Sequence, residues 1–378
     1  MKIGILTQPL YVNYGGLMQC FALQQVLRDM GHEPVVLQRE FPRRYTITGG
    51  IVYYAKHFVK LLLGRQSSWH YYIDPKRREY IAKNTNRFIE KNIPSRSVKC
   101  YTTEELKREV DRIHLDAIIV GSDQVWRPFY SPCQPNYFLD FIEKDSAILR
   151  ISYAASFGRD DWSFSKELTK QCGVLLRRFK AVSVREQSAI ALCKEHFGVE
   201  PVLVLDPTML LEKDDYLKIA SSSGRHEGLF CYILDRNKEK RAVALSIAEK
   251  TGLSAFETMP GAADSVDNLY KDLEKCVYPS VEDWVASFRD ANMVLTDSFH
   301  GTVFSIIFNK PFWVIGNAGR GMARFNTLLS LFGLEDRLIV PESVGTIDYF
   351  LPIDWKKVND KWRSLQEVSG VFIHNALS

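Results

Sequence analysis

What the chain lacks narrows its class before any motif is read. No apolar run reaches the roughly 18–20 residues needed to cross a bilayer; the nearest approach, Ile51 to Leu63, is interrupted by Lys56, His57 and Lys60. The opening Met1–Leu6 turns polar at Thr7-Gln8, too soon for a secretory leader. No C-x-x-C pair occurs among the seven cysteines, at positions 20, 100, 133, 172, 193, 231 and 276, and their odd number argues against a disulfide framework. No two histidines stand at zinc-ligand spacing, so no metal is expected. A reducing, cytoplasmic setting is the expectation. It becomes the inner face of the cell membrane if segment 51–72, with Trp69, Tyr71 and Tyr72, lies as a peripheral contact on lipid.

Charge of one sign is scarce as well. The 49 basic and 45 acidic side chains leave a net charge of +4, which does not predict a nucleic-acid partner. The glycine loop Asn13-Tyr14-Gly15-Gly16 lacks both the G-x-G-x-x-G spacing and the G-K-S/T ending, which sets aside nicotinamide and nucleotide-hydrolase readings. No G-x-S-x-G surrounds Ser298, so it is a poor nucleophile candidate.

What is present is an ordinary globular composition, 46% hydrophobic and 25% charged over 378 residues, more than one core usually holds. Short strands alternate with helical periodicity along the chain. Lys2–Leu6, Pro34–Leu37, Asp116–Val120 and Ile148–Tyr153 read as strands of a first half. Ala181–Val184, Val202–Leu205, Leu229–Ile233, Met293–Thr296 and Pro311–Ile315 read as strands of a second. This order favours parallel sheets. The expected fold is α/β: two Rossmann-like domains facing across a cleft, over 1–180 and 181–350, with a tail 351–378 that could pack back on the first. Open parallel sheets bind ligands beyond the carboxyl ends of their strands, so residues there are the site candidates.

Asp297-Ser298-Phe299-His300-Gly301 follows one strand and precedes a helix read over Thr302–Asn309. The unpaired N–H groups of a helix start suit a phosphate or carboxylate, and Ser298 and Gly301 belong to that seat. His300 is placed there to exchange a proton, or is a structural histidine. Arg185, just after Val184, has the planar fork for an anion, or for a salt bridge to Glu186. Arg320 and Arg324 bracket the end of a loop, Gly316–Gly321, as a second cationic flank or a solvated cluster. Ser122, Asp123, Gln124 and Trp126 combine hydroxyl, carboxylate, amide and aromatic groups that suit a sugar, with Trp126 also readable as core. Asp206, before Pro207, is a cap or a ligand. Asn13, Gly15 and Gly16 open another helix at the same edge.

Taken in order, these segments resemble the polysaccharide pyruvyl transferase family: Asn13-Tyr14-Gly15-Gly16 with Gln19, Gly121-Ser122-Asp123-Gln124-Val125-Trp126, Ser152–Gly158, Ser183-Val184-Arg185-Glu186, Asp206-Pro207-Thr208 and Thr296–Gly301. The resemblance implies a fold similar to GT-B glycosyltransferases. It also implies transfer of the pyruvyl group of phosphoenolpyruvate to two saccharide hydroxyls as a ketal, in making cell-wall-associated, capsular or exopolysaccharide. Phosphoenolpyruvate is then the donor substrate, no cofactor is needed, and the saccharide acceptor is free or lipid-linked. His300 matches the family's acid/base His, and Arg185 matches a substrate-binding Arg. In the family an Arg stands two residues before that His; here Ser298 does, with Arg320 or Arg324 as the compensating cation, or a changed donor or reaction as the consequence. A GT-B-like glycosyltransferase using a nucleotide sugar, a non-catalytic carbohydrate-binding relative and an enzyme for another small anion stay open. Acceptor, linkage and oligomeric state do not follow from the sequence.

Overall fold

Hydrophobic four- and five-residue strands, each bounded by a turn or a helix cap, set the architecture. The computed structural model describes residues 1–41, 75–222, 226–263, 265–316, 321–339 and 347–378. Segment 51–72 and Arg320 lie outside the described residues. Among those described, eleven strands form two wholly parallel sheets. The first contains β1 (Lys2–Leu6), β2 (Glu33–Val36), β3 (Ala117–Val120), β4 (Leu149–Ala155), β5 (Ala181–Val184) and β6 (Val202–Leu203), in the order β2-β1-β3-β4-β5-β6. The second contains β7 (Leu229–Tyr232), β8 (Ala255–Phe256), β9 (Met293–Thr296), β10 (Phe312–Ile315) and β11 (Leu338–Ile339), in the order β11-β10-β9-β7-β8.

Each sheet therefore reverses direction between its first and third strands, at β1/β3 and at β7/β9. Ligand crevices of parallel sheets form at such points. The core strands β3, β7, β9 and β10 are buried along their whole length, as strands covered on both faces must be. This is the two-sheet, parallel α/β arrangement expected. One strand assignment changes. β5 and β6 hydrogen-bond into the first sheet, so that sheet runs past Lys180, where the second half was expected to begin. A strand's own residues do not encode which of two similar sheets it joins.

The two halves share one continuous core through the first helix, Tyr14–Asp29. Tyr14 stacks on Trp284 of the second half at 5.5 Å between ring centroids, and its hydroxyl donates to the Pro279 carbonyl at 2.9 Å. On the far side of the seam, Gln187 N donates to Thr327 Oγ1 at 3.0 Å. Gly321, at φ 88°, lies so close to Gly158 that a Cβ there would stand 1.9 Å from the Gly158 carbonyl oxygen.

The last helix, Trp355–Leu377, comes after the second sheet and lies against the first half. Trp362 Nε1 donates to the Met209 carbonyl at 2.7 Å, Ser369 Oγ accepts from Leu205 N at 3.0 Å, and Phe372 meets the Tyr153 ring. No helix among the described residues is long and apolar enough to cross a membrane.

Candidate functional site

Neighbouring parallel strands end on the same edge, and that edge carries the chemistry. β3 runs out into Ser122-Asp123, β5 into Arg185, the chain after β6 into Asp206, and β9 into Asp297-Ser298 and a helix over Phe299–Ile307. The helix begins three residues earlier than periodicity suggests, because Ser298 caps it: its Oγ accepts from Gly301 N at 3.3 Å. His300 therefore sits in the first turn of a helix. Asn13 does the same for the first helix, accepting from Gly16 N at 3.2 Å.

Asp206 is the centre of the cluster. Its Oδ1 accepts from Thr208 N at 3.1 Å and from Thr208 Oγ1 at 2.7 Å. Its Oδ2 accepts from Ser122 Oγ at 2.8 Å and from Arg185 Nη1 at 2.8 Å. His300 Nε2 lies 3.6 Å from the same Oδ2, within ion-pair range but too far for a hydrogen bond, and it has no hydrogen-bond partner. Burial pushes the Asp206 carboxyl up, but His300, Arg185 and Thr208 outweigh it and hold the group well below the usual carboxylate range.

Arg185 is just as enclosed. Besides Asp206, its Nη2 donates to Asp123 Oδ1 at 3.2 Å, Glu186 Oε2 lies 4.0 Å from its Nε, and its guanidinium covers the Phe299 ring at 4.5 Å from the centroid. Burial alone would pull its proton affinity down; Asp206, Asp123 and Glu186 more than reverse this. Asp123 adopts a left-handed φ of 72°, which Asp tolerates better than most residues. Burial pushes its carboxyl up, whereas Arg185, His300 and Arg324 bring it below the ordinary value. Asn13 Nδ2 reaches the other Asp123 oxygen at 3.4 Å.

Two cations lie close to the Phe299 ring. Arg324, in the helix Ala323–Phe332, lies 5.8 Å from the ring that Arg185 covers. Burial, with Arg185 nearby, draws Arg324 down to about 10. Glu186 completes the set. Its Oε1 accepts from Ser156 Oγ and from the backbone N–H groups of Phe157 and Gly158, and burial raises its carboxyl. Three carboxylates thus face two guanidiniums and one imidazole in a region almost closed to solvent.

Glycine makes the seam possible. A Cβ on Gly15 would stand 2.1 Å from His300 Nδ1 and 2.3 Å from its Cγ, so the ring lies directly on the start of the first helix. A Cβ on Gly301 would stand 2.2 Å from Thr296 Oγ1.

A sequence model of the family described as polysaccharide pyruvyl transferase matches residues 13–319, most of the chain. The chain belongs to the polysaccharide pyruvyl transferase family. A search of curated proteins returns no match. Among solved structures, the chain is similar to UDP-GlcNAc 2-epimerase of Methanocaldococcus jannaschii in complex with UDP-GlcNAc and UDP, at 10% identity, 97% and 93% coverage of the two chains and a TM-score of 0.47. It is also similar to UGT71G1 of Medicago truncatula complexed with UDP-glucose, at 12% identity, 100% and 98% coverage and a TM-score of 0.49. A third is the glycosyltransferase SsfS6 of Streptomyces sp. SF2575, at 14% identity, 98% and 96% coverage and a TM-score of 0.41.

In this member of the pyruvyl transferase family, the structure brings together most of the residues singled out from sequence. Ser122, Asp123, Arg185, Asp206, His300 and Arg324 form one cluster, with Asn13, Gly15, Ser298 and Gly301 at its edge. Three expectations change. Trp126 is fully buried, stacked on Phe138 at 5.2 Å, with Nε1 bonded to the Tyr137 carbonyl at 3.0 Å, so it is core and presents no face to a sugar. Gln124 spends its side-chain oxygen on Arg127 Nη1 at 2.8 Å and backs onto Gly158. Gly16 offers its N–H to Asn13 rather than to the seam. Two residues with a part in the cluster were not singled out, Thr208 and Phe299. Asp-Pro-Thr carries a detectable turn signal for the first; nothing local marks the second.

Just beyond the end of β9, the buried Asp297 accepts from Leu234 N at 2.6 Å and Asp235 N at 3.1 Å, and pairs with Lys240 Nζ at 2.6 Å. That carboxylate is fully used in holding the turn that follows β7.

Proposed function

We propose that the protein transfers the pyruvyl group of phosphoenolpyruvate to two hydroxyls of a saccharide, forming a cyclic ketal and releasing phosphate. What carries the reading is His300: a buried imidazole with an unbonded Nε2 at the seam of the two halves, beside Arg185 and near Arg324, in a chain of the polysaccharide pyruvyl transferase family.

The chemistry asks for a proton donor, a seat for two anionic groups and exclusion of water. His300, protonated, delivers its proton to the methylene carbon of phosphoenolpyruvate, which becomes the methyl group of the product. The central carbon turns electrophilic, and one sugar hydroxyl attacks it. The carbon–oxygen bond to phosphate breaks, the second hydroxyl closes the ketal, and the two hydroxyl protons go to His300 and to the departing phosphate. The start of helix Phe299–Ile307 and Arg324 supply the anion seat in place of the arginine that Ser298 replaces. Arg185 joins only when Asp123 or Asp206 releases it, since both of its terminal nitrogens are engaged. Donor entry accordingly requires the seam to loosen. No further cofactor is required by this scheme. A lipid-linked acceptor would bring the chain to the cytoplasmic face of the membrane, as a step in cell-surface polysaccharide synthesis.

The test is incubation of the purified chain with phosphoenolpyruvate and a panel of free and lipid-linked saccharides, following phosphate release and product mass. A product heavier by a pyruvyl ketal, lost in His300→Ala, is expected. Sugar transfer from a nucleotide sugar without phosphoenolpyruvate would replace the proposal by glycosyl transfer. Saccharide binding with no turnover from either donor would replace it by a carbohydrate-binding role.

A further inference from the structure

We infer that the turn formed by residues 127–130 is the acceptor platform, on which the Phe129 ring, with Tyr130 beside it, stacks against the apolar face of a saccharide. The inference deepens the proposed function by placing the acceptor, and it rests on that reading for calling the saccharide an acceptor.

Phe129 is held where no folding requirement puts it. The residue is 97% exposed, and its backbone stands at a left-handed φ of 64°. A bulky residue is a genuine outlier in that region. The Tyr130 N–H closes the turn onto the Arg127 carbonyl at 3.2 Å, with Pro128 second and Phe129 third. A third position with positive φ ordinarily goes to glycine. Here an aromatic ring takes it and buries nothing. A single exposed apolar residue is ordinary; one that is also strained points to a use.

The base of the turn is fixed. Gln8 Nε2 donates to the Gln124 carbonyl at 3.1 Å and to Ser131 Oγ at 2.9 Å, and Ser131 Oγ donates to the Val125 carbonyl at 2.8 Å. Arg127 Nη1 donates to Gln124 Oε1 at 2.8 Å, and its guanidinium lies over the Tyr130 ring at 4.5 Å from the centroid. Aromatic groups ordered in advance lose little entropy on binding.

The same contacts set the turn beside the seam. A Cβ on Gly158 would stand 2.1 Å from the Gln124 oxygen that Arg127 holds, and Gly321 of the second half packs on the Gly158 carbonyl. Asp123, which meets Arg185, lies one residue before Gln124. Burial and then Arg185 lower Arg324, and the Arg127 charge adds to them, so Arg127 lies within charge range of the anion seat proposed above. Polar groups of both signs surround the turn. Arg159 pairs with Asp161 at 2.7 Å, and the Asp161 carboxyl is lowered by that pair and also by Arg127. A pyranose has C–H groups on one face and hydroxyls at its rim, which suits an aromatic ring set among such groups better than an acyl chain would.

Saturation-transfer NMR tests this with full-length protein, no phosphoenolpyruvate, and methyl hexopyranosides and N-acetylhexosaminides as probes. Saturation of aromatic protons is expected to reach the C–H groups on one face of at least one probe. Phe129→Gly should weaken that binding by about 2–10-fold, the worth of one aromatic contact, and Phe129→Trp should restore it. Because glycine relieves the positive φ, the unfolding midpoint of Phe129→Gly should stay or rise. A lower midpoint would show that the ring serves the fold, and would overturn the inference. No probe bound by the unaltered chain, or equal affinity in Phe129→Gly, also overturns it. So does a loss, in that variant, of co-sedimentation with phosphatidylglycerol vesicles or of self-association, which would assign the ring to a membrane or to a second copy. Glycoside binding without pyruvyl transfer keeps the platform and removes the donor chemistry. Pyruvyl transfer with an acceptor KM unmoved in Phe129→Gly removes the platform alone.

Discussion

Replacing Gly15 with alanine is the sharpest probe of the seam, because its effect should reverse sign when one other residue is removed. The added Cβ would lie 2.1, 2.3 and 2.8 Å from Nδ1, Cγ and Cβ of His300. The optimum separation for such contacts is about 3.5–4.0 Å, so the ring or the helix start must retreat. Overpacking of this kind costs about 1–3 kcal/mol. Against it stands the gain from alanine over glycine inside a helix, about 0.5–1 kcal/mol, since Gly15 is the second residue of the helix Tyr14–Asp29. Net destabilisation of about 0–2.5 kcal/mol is therefore expected for Gly15→Ala alone. In a His300→Gly background the ring and its Cβ are both absent, the clash is gone and only the helix term survives, so the same substitution becomes stabilising by about 0.5–1 kcal/mol. The coupling between the two positions, about 1–3 kcal/mol, is read from a double-mutant cycle of denaturant unfolding. An equal cost for Gly15→Ala with and without the imidazole would refute the packing described here.

Ser298→Ala removes the cap of the helix that carries His300 and should cost about 1 kcal/mol, measured as a lower unfolding midpoint; no change would mean that the Gly301 N–H is satisfied without it. Trp362→Phe removes the bond to the Met209 carbonyl and leaves that oxygen unpaired, for a loss of about 1–3 kcal/mol, with faster amide exchange around Leu205 as its local sign. The third concerns pH. Burial raises the Asp206 carboxyl, but His300, Arg185 and Thr208 depress it further, so its folded value lies below its unfolded one. Its contribution to stability is then fully present above the unfolded value of about 3.9 and is lost as pH falls toward the folded one. Asp206→Asn should flatten the acid limb of a Tm-against-pH curve, and an unchanged limb would contradict the assignment.

Much of this was legible in the sequence because it is local. Buried four-residue strands such as Ala117–Val120 and Met293–Thr296 announce a covered parallel sheet, and the residues just beyond them, Asp123 and His300, are where such sheets bind. Helix starts were less so: Phe299 begins its helix ahead of the apolar periodicity read from Thr302, because Ser298 caps it while the first turn carries glycine. What sequence could not disclose is pairing at a distance. Arg185 reads as a free anion fork until its partners are placed, and those partners lie 62 and 21 positions away. Phe299 acquires its part only because two arginines from different elements settle against it. The allegiance of β5 and β6 was hidden for the same reason, since the strand–helix rhythm continues unchanged across Lys180.

The return of the last helix to the first sheet has a consequence for synthesis. A nascent chain emerging from the ribosome can assemble β1 to β6 early, yet the surface around Leu205 and Met209 stays uncovered until Trp362 and Ser369 have left the exit tunnel. Domains ordinarily fold in the order they are made. Here the first to form is the last to be sealed, and the whole second sheet is translated in the interval, during which that apolar surface is exposed to chaperones or to a neighbouring chain.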